Sequence, residues 1–185
     1  MVQRKSNGAR NKLSPEIWER VFRVTQVPLF VEDFTRVRQA VRRILADGVE
    51  DFGLWMDSHP DFVGTVLQNL VLLDVNDMAV EVSGARDKNH LIRNFQRMIV
   101  PETLNSFKEI LTAIAEERPY YQGESQYRTL DGRSMFTFNR ALIPEHVPGE
   151  RDILVFATTD ITPGISFCAM TCRDGSSTST RWGRI

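Results

Sequence analysis

Leu73-Asp74-Val75-Asn76, Thr129-Leu130-Asp131-Gly132-Arg133 and Thr159-Asp160-Ile161-Thr162 are the three stretches whose order and spacing decide the reading of this chain. The first ends a short, strongly apolar run, Leu70 to Val75, that reads as a strand buried on both faces. The second puts Asp-Gly between two strand-like runs, Tyr121 to Leu130 and Arg133 to Leu142. That dipeptide is a strong hairpin signal, on the expectation that both turn positions take positive φ. The third follows a last apolar strand, Ile153 to Ala157. Between the first two, Asn76 or Asp77 caps a brief helix that Gly84 ends, and Lys88 to Asn94 forms another. Pro101 opens the longest helix, Glu102 to Glu117, with Leu104, Phe107, Leu111 and Ile114 or Ala115 on its inner stripe. Strand, small helices, long helix, hairpin, loop, strand is not βαβ repetition; it is an α+β pattern with an antiparallel sheet.

In order and spacing the three motifs resemble the PAS sensory domain, a ligand- and partner-binding module found mostly in bacterial signalling proteins. The matching stretch runs from Val71 to Thr162, about half of the chain. The resemblance implies a sheet of about five strands closing over small helices, with a pocket between them. The segment before it is more loosely similar to the helical extensions that precede some bacterial PAS domains.

That segment reads as helical throughout. Ser14-Pro15-Glu16 starts a helix through Ile17, Trp18, Val21 and Phe22 that stops before Pro28. Asp33 or Thr35 caps a second, from Thr35 to Asp47, whose apolar stripe is Val37, Val41, Ile44 and Leu45. Arg36, Arg38, Arg42 and Arg43 fall on its other faces; with Glu32, Asp33, Asp47, Glu50 and Asp51 near enough to offset them, a solvated face is expected rather than a phosphate-binding patch. Ser58 and Pro60 start a third helix carrying Phe62, Val63, Val66 and Leu67. The expected organisation is a disordered terminus over 1–13, a helical extension over 14–69, a PAS-like domain over 70–162 and an irregular tail over 163–185, where Pro163-Gly164 breaks the chain.

A net charge of −1 and a pI near 6.3 give no global field to recruit nucleic acid or an anionic membrane. The longest uninterrupted apolar run is Leu70 to Leu73, far short of the roughly 18 residues of a membrane span. A cytoplasmic protein is expected, and Cys168 and Cys172, without further ligands nearby, read as incidental thiols. No phosphate-binding loop, nucleophile elbow, zinc-protease motif or dinucleotide fingerprint occurs, so no enzyme is expected. A helix start explains Ser58, Pro60 and Asp61 in Asp57-Ser58-His59-Pro60-Asp61 without a metal. Haem is disfavoured because His90 sits among Asp87, Lys88, Asn89 and Arg93. Flavin photochemistry is disfavoured because both cysteines follow the last strand; the cofactor, if any, is left unknown.

Strand phase and helix stripes then name the lining of the implied pocket: Leu73, Asn76, Phe95, Phe107, Leu111, Tyr127, Phe138 and Arg140. Asn76 either faces a ligand or caps the following helix. On one strand Phe136, Phe138, Arg140 and Leu142 share a face opposite Met135, Thr137 and Asn139; Arg140 either meets an anionic ligand or snorkels to the sheet edge. The last strand is apolar on both faces, Ile153, Val155 and Ala157 against Leu154 and Phe156, so its outer face needs a cover. The Val37, Val41, Ile44, Leu45 stripe is the expected cover, shared across a homodimer. The expected function is a non-enzymatic sensory module of bacterial signal transduction that binds a small ligand or a protein partner such as a histidine kinase. The alternatives are a small α+β enzyme with a polar cavity, which would need a buried carboxylate or histidine of shifted pKa inside the pocket, and a ligand-free dimerisation adaptor.

Overall fold

Leu29 to Asp33, which sequence patterning leaves between two helices, is a strand, and it lies inside the sheet rather than before it. The structure, a computed structural model, describes residues 14–162. The chain forms α1 (Pro15–Val24), β1 (Leu29–Asp33), α2 (Thr35–Ala46), α3 (Phe52–Ser58), α4 (Pro60–Leu67) and β2 (Val71–Val75). It continues through α5 (Asp77–Val82), α6 (Lys88–Asn94), a 3₁₀ turn (Phe95–Met98), α7 (Thr103–Ala115), β3 (Tyr120–Arg128), β4 (Ser134–Leu142) and β5 (Ile153–Asp160). The expected disordered terminus, irregular tail and both cysteines lie outside the described residues.

The five strands form one antiparallel sheet in the order β2-β1-β5-β4-β3. β1 bonds to β2 on one side and β5 on the other, so the stretch expected to be a purely helical extension supplies a central strand. The signal was weak because Leu-Phe-Val-Glu-Asp is short and ends in two acids, which strands disfavour. Conversely, β2 is an edge strand with Val71 half exposed; the expectation that it is buried on both faces is corrected.

One face of the sheet is covered. α7 packs on β3 and also meets α2, α3 and α4, so these three helices lie over the inner face. Val37 and Val41 are fully buried in the same core as Leu111, Ile114 and Leu154. The expected role of the α2 stripe as cover for the outer face is therefore wrong: burial beside α7 uses that stripe on the inside. Arg38 goes in with it. Its Nε lies 2.8 Å from Asp152 Oδ1, an ionic contact rather than a directed hydrogen bond, while Nη2 donates to the Pro144 carbonyl at 2.9 Å. Both side chains are almost completely buried, so this arginine is not part of a solvated face. It ties α2 to the loop before β5, where Phe34 N–H also donates to the Asp152 carbonyl.

Asn76 sets where β1 begins. Its side-chain oxygen accepts from Leu29 N–H and Ala79 N–H, each at 3.0 Å, and its amide donates to the Val27 carbonyl at 2.8 Å. The residue thus caps α5 and fastens the start of β1 to the end of β2. Replacing Asn76 with Ala leaves these buried backbone groups unpaired and is expected to cost about 3 kcal/mol, read as a lower urea midpoint. A midpoint within experimental error of the parent would show that the link is dispensable.

At the hairpin only Gly132 has positive φ, at 96°. Gly132 N–H donates to the Thr129 carbonyl and Thr129 N–H to the Arg133 carbonyl, each at 2.9 Å, so Asp131 does not need the left-handed region that the Asp-Gly pair was expected to impose on both residues. Gly132→Val forces a β-branched residue into that region and is expected to cost about 1–3 kcal/mol. An unchanged melting temperature would contradict this.

A buried carboxyl in an aromatic cavity

Strand alternation decides which β1 side chains enter the core. Phe30 and Glu32 point inward between the half-buried Leu29, Val31 and Asp33, and Phe34 continues the inward set. Across the sheet Glu32 registers with Leu154 and Phe30 with Phe156. Between this inner face and α7 lies a cavity of about 40 Å³, room for about three waters. Phe30, Glu32 and Phe34 of β1 and its end line it on one side, with Phe156 and Thr158 of β5. Ser106, Phe107 and Ile110 of α7 lie opposite, and Phe95 and Tyr127 close it at the flank.

Most polar groups around this cavity are already partnered. Thr158 Oγ1 donates to Asn139 Oδ1 at 2.9 Å, and Asn139 Nδ2 donates to Thr137 Oγ1 at 3.0 Å. Thr137 Oγ1 donates to the Ser125 carbonyl at 3.2 Å, and the Ser106 and Ser125 hydroxyls share a hydrogen bond at 2.5 Å. Glu32 stands apart from that chain. It is 6 % exposed, and burial alone pushes its carboxyl up to about 8, with no cation or hydrogen bond among the described residues to offset it. Tyr127 is pushed up to about 12, first by burial and further by the nearby Glu32 charge, against a hydrogen bond from Ser125 that lowers it.

The structure distributes the sequence-expected site residues over three places. Phe95, Phe107 and Tyr127 line the cavity. Leu111 is fully buried but is core beside it, Leu73 is half buried on the edge strand, and Asn76 is occupied as cap and strand clamp. Phe138 and Arg140 are corrected: both lie on the exposed face of β4, where Arg140 rests 5.5 Å from the centre of the Tyr120 ring. The two faces of β4 had been correctly separated but the polar one, Thr137 and Asn139, faces in, because β5 and β3 supply partners for it. Glu32 was missed altogether. The alternation Phe30-x-Glu32-x-Phe34 was its only signal, and it depended on seeing β1.

At the other sites considered, His59 stacks on Trp55 with ring centres 4.0 Å apart and Asp57 pairs with Lys108. His90 Nδ1 accepts from Arg86 N–H at 3.1 Å. Among the described residues no group of three or more potential metal-ligating side chains converges, and no helix is long and apolar enough to cross a membrane.

No family model matches the sequence, and no curated protein does. Solved structures do match. The PAS domain of a protein from Colwellia psychrerythraea aligns at 14% identity with a TM-score of 0.53, covering 80% of this chain and 97% of that one. An RNA-binding light-oxygen-voltage receptor aligns at 15% identity and a TM-score of 0.55, covering 94% of this chain but 40% of that one. A structure of RsLOV aligns at 12% identity and a TM-score of 0.50, covering 81% and 70%. Identities this low speak to architecture: the chain has the PAS fold, an α+β domain with a five-stranded antiparallel sheet.

The Glu32 environment makes stability depend on pH in a defined direction. A folded-state pKa near 8, against an ordinary carboxyl value of 4.5, means the folded chain holds a proton that the unfolded chain has released between those values. Stability therefore falls as pH rises through that window, by up to about 1.4 kcal/mol per unit, and levels off above it. Glu32→Gln removes this slope. Urea denaturation at pH 5.5 and 8 checks it: equal slopes in parent and variant would mean the carboxyl is not buried as described.

Proposed function

We propose that this chain is a non-enzymatic PAS-type sensory module of bacterial signal transduction, working in the cytoplasm, which binds a small ligand in the Glu32 cavity and passes the change to a second copy of itself or to a signalling partner such as a histidine kinase. The observation that carries the reading is the cavity itself. It lies between the central strands and the longest helix, and it presents one carboxyl, unpartnered among the described residues, in a wall otherwise made largely of aromatic and aliphatic side chains. A signalling output is supported by the opposite face of the same strands. Val155 is 45 % exposed and Phe138 39 %, with Val71 and Leu142 also exposed, apolar side chains on the far side of the sheet from the cavity. α1 adds Ile17, Trp18, Val21 and Val24, all exposed on a helix with no buried residue. The homodimer is proposed through these surfaces and no longer through the α2 stripe.

Glu32 also favours a second reading. A carboxyl held near pH 8 has the pKa of a general base, the feature an α+β enzyme would need. Against it, Thr158, Asn139, Thr137 and Ser125 are spent on one another, so among the described residues the one other titratable group lining the cavity is Tyr127, whose phenol is pushed up to about 12.

Light scattering on the full chain tests the dimer. A mass of two chains at micromolar concentration is expected, falling to one in Val155→Glu with the melting temperature retained, since Val155 faces solvent in the single chain. A parent that stays monomeric refutes pairing. A dimer indifferent to Val155→Glu places the contact elsewhere.

A further inference from the structure

The ligand class follows from the cavity's charge sign. We propose that the Glu32 cavity is a site for a small organic cation, a protonated or methylated amine whose head group pairs with the Glu32 carboxylate inside a ring-lined pocket. The inference rests on the reading of this cavity as a ligand site.

Three observations converge. The wall contains Phe30, Phe34, Phe95, Phe107, Phe156 and Tyr127, and aromatic faces attract cations while offering little to anions. No lysine, arginine or histidine is among the lining residues; only Glu32 and Tyr127 titrate there, so the one charge available to a ligand is negative. Glu32 is more than nine-tenths buried and has no hydrogen-bonding partner among the described residues, in a core where the neighbouring hydroxyls and amide are paired. A buried acid without a partner costs stability unless a partner is supplied, and the cavity beside Glu32 leaves space for a ligand to supply it. The size of the void limits the head group to about three heavy atoms before side chains must move. Methylated ammonium groups suit it best, because they are less strongly hydrated than ammonium and cover apolar surface as they enter.

Binding has a proton signature. The empty site holds Glu32 protonated at pH 7, so an ammonium ligand that pairs with the carboxylate displaces that proton to solvent. Affinity for the cation should then rise roughly tenfold per pH unit up to about 8 and level off above it. Tyr127, the other titratable group facing Glu32, stays neutral across this range.

Isothermal titration of the full chain with dimethylammonium chloride, ethanol and formate makes the comparison at matched ionic strength. Expected are saturable binding of dimethylammonium at least tenfold tighter than of ethanol, a neutral molecule with the same number of heavy atoms, no binding of formate, and release of nearly one proton at pH 6.5, read from the dependence of heat on buffer ionisation. Glu32→Gln should abolish the preference for the cation; should that variant fail to fold, the proton release and pH dependence of the parent still decide. Saturable ethanol binding without a cation preference overturns the charge class while leaving a ligand cavity in place. Binding of none of the three overturns the proposal, and a spectrum of the purified chain by native mass spectrometry that shows no adduct would count against the ligand site itself.

Discussion

Asn76 bonds in three directions from a position with no solvent exposure, and the sheet's order depends on it. Its oxygen holds the first N–H of β1, its amide holds a carbonyl before β1, and the same oxygen starts α5. β1 comes from a part of the chain remote from β2, and the two could slide past each other. A one-residue slip would turn Phe30 and Glu32 outward and Val31 inward. By fastening Leu29 to the end of β2, Asn76 fixes which β1 side chains face α7, and so places the carboxyl in the cavity.

The inner face is polar at its β4 end and aromatic at its β1 end, and both are stable for different reasons. Around Thr137, Asn139 and Thr158 each hydroxyl or amide has a neighbour to bond, so burial costs little. Phe34 lies 5.9 Å from Phe156 and 6.2 Å from Phe107, ring centre to ring centre, a cluster that needs no polar partner. Glu32 falls between the two regimes. Among the described residues no hydrogen bond reaches it from either side. Protonation is the way such a group lowers its cost in the absence of a counter-ion, which is why the carboxyl titrates near 8.

What the residues revealed beforehand follows physical lines. The elements from Leu70 onward were legible because each is bounded by a local signal: the α5 cap at Asn76, the Pro101 start of α7, Gly132 in the hairpin. Phe95, Phe107 and Tyr127 could be placed at the cavity because helix stripe and strand phase point them at the sheet. β1 was illegible because its identity comes from two neighbours, β2 and β5, that are distant in the chain. The inward face of β4 was misjudged for a related reason. Phe136 and Phe138 are the more apolar pair, but Thr137 and Asn139 find buried partners, and hydrogen bonding across strands leaves no trace in local hydrophobicity. Arg38 escaped in the same way, since its counter-charge Asp152 lies over a hundred residues on.

The missed strand is also the one that joins the two functional faces. Glu32 and Val31 are neighbours on β1, one facing the cavity and the other the outer surface, and Val31 registers with Val155 on β5. The inner partner of Glu32 on β5, Leu154, is the neighbour of Val155 in turn. A change in the charge of Glu32 therefore acts on two strands whose alternate side chains form the exposed apolar face. Packed interiors respond to such a change by shifting between discrete arrangements rather than by absorbing it locally. Among the described residues α2, α3, α4 and α7 pack over one side of the sheet, and its other face is where a shift meets least resistance. On the proposed reading, placing an ionisable group on a central strand, rather than on a loop over the cavity mouth, would couple occupancy of the cavity to the geometry of the surface through which another chain docks.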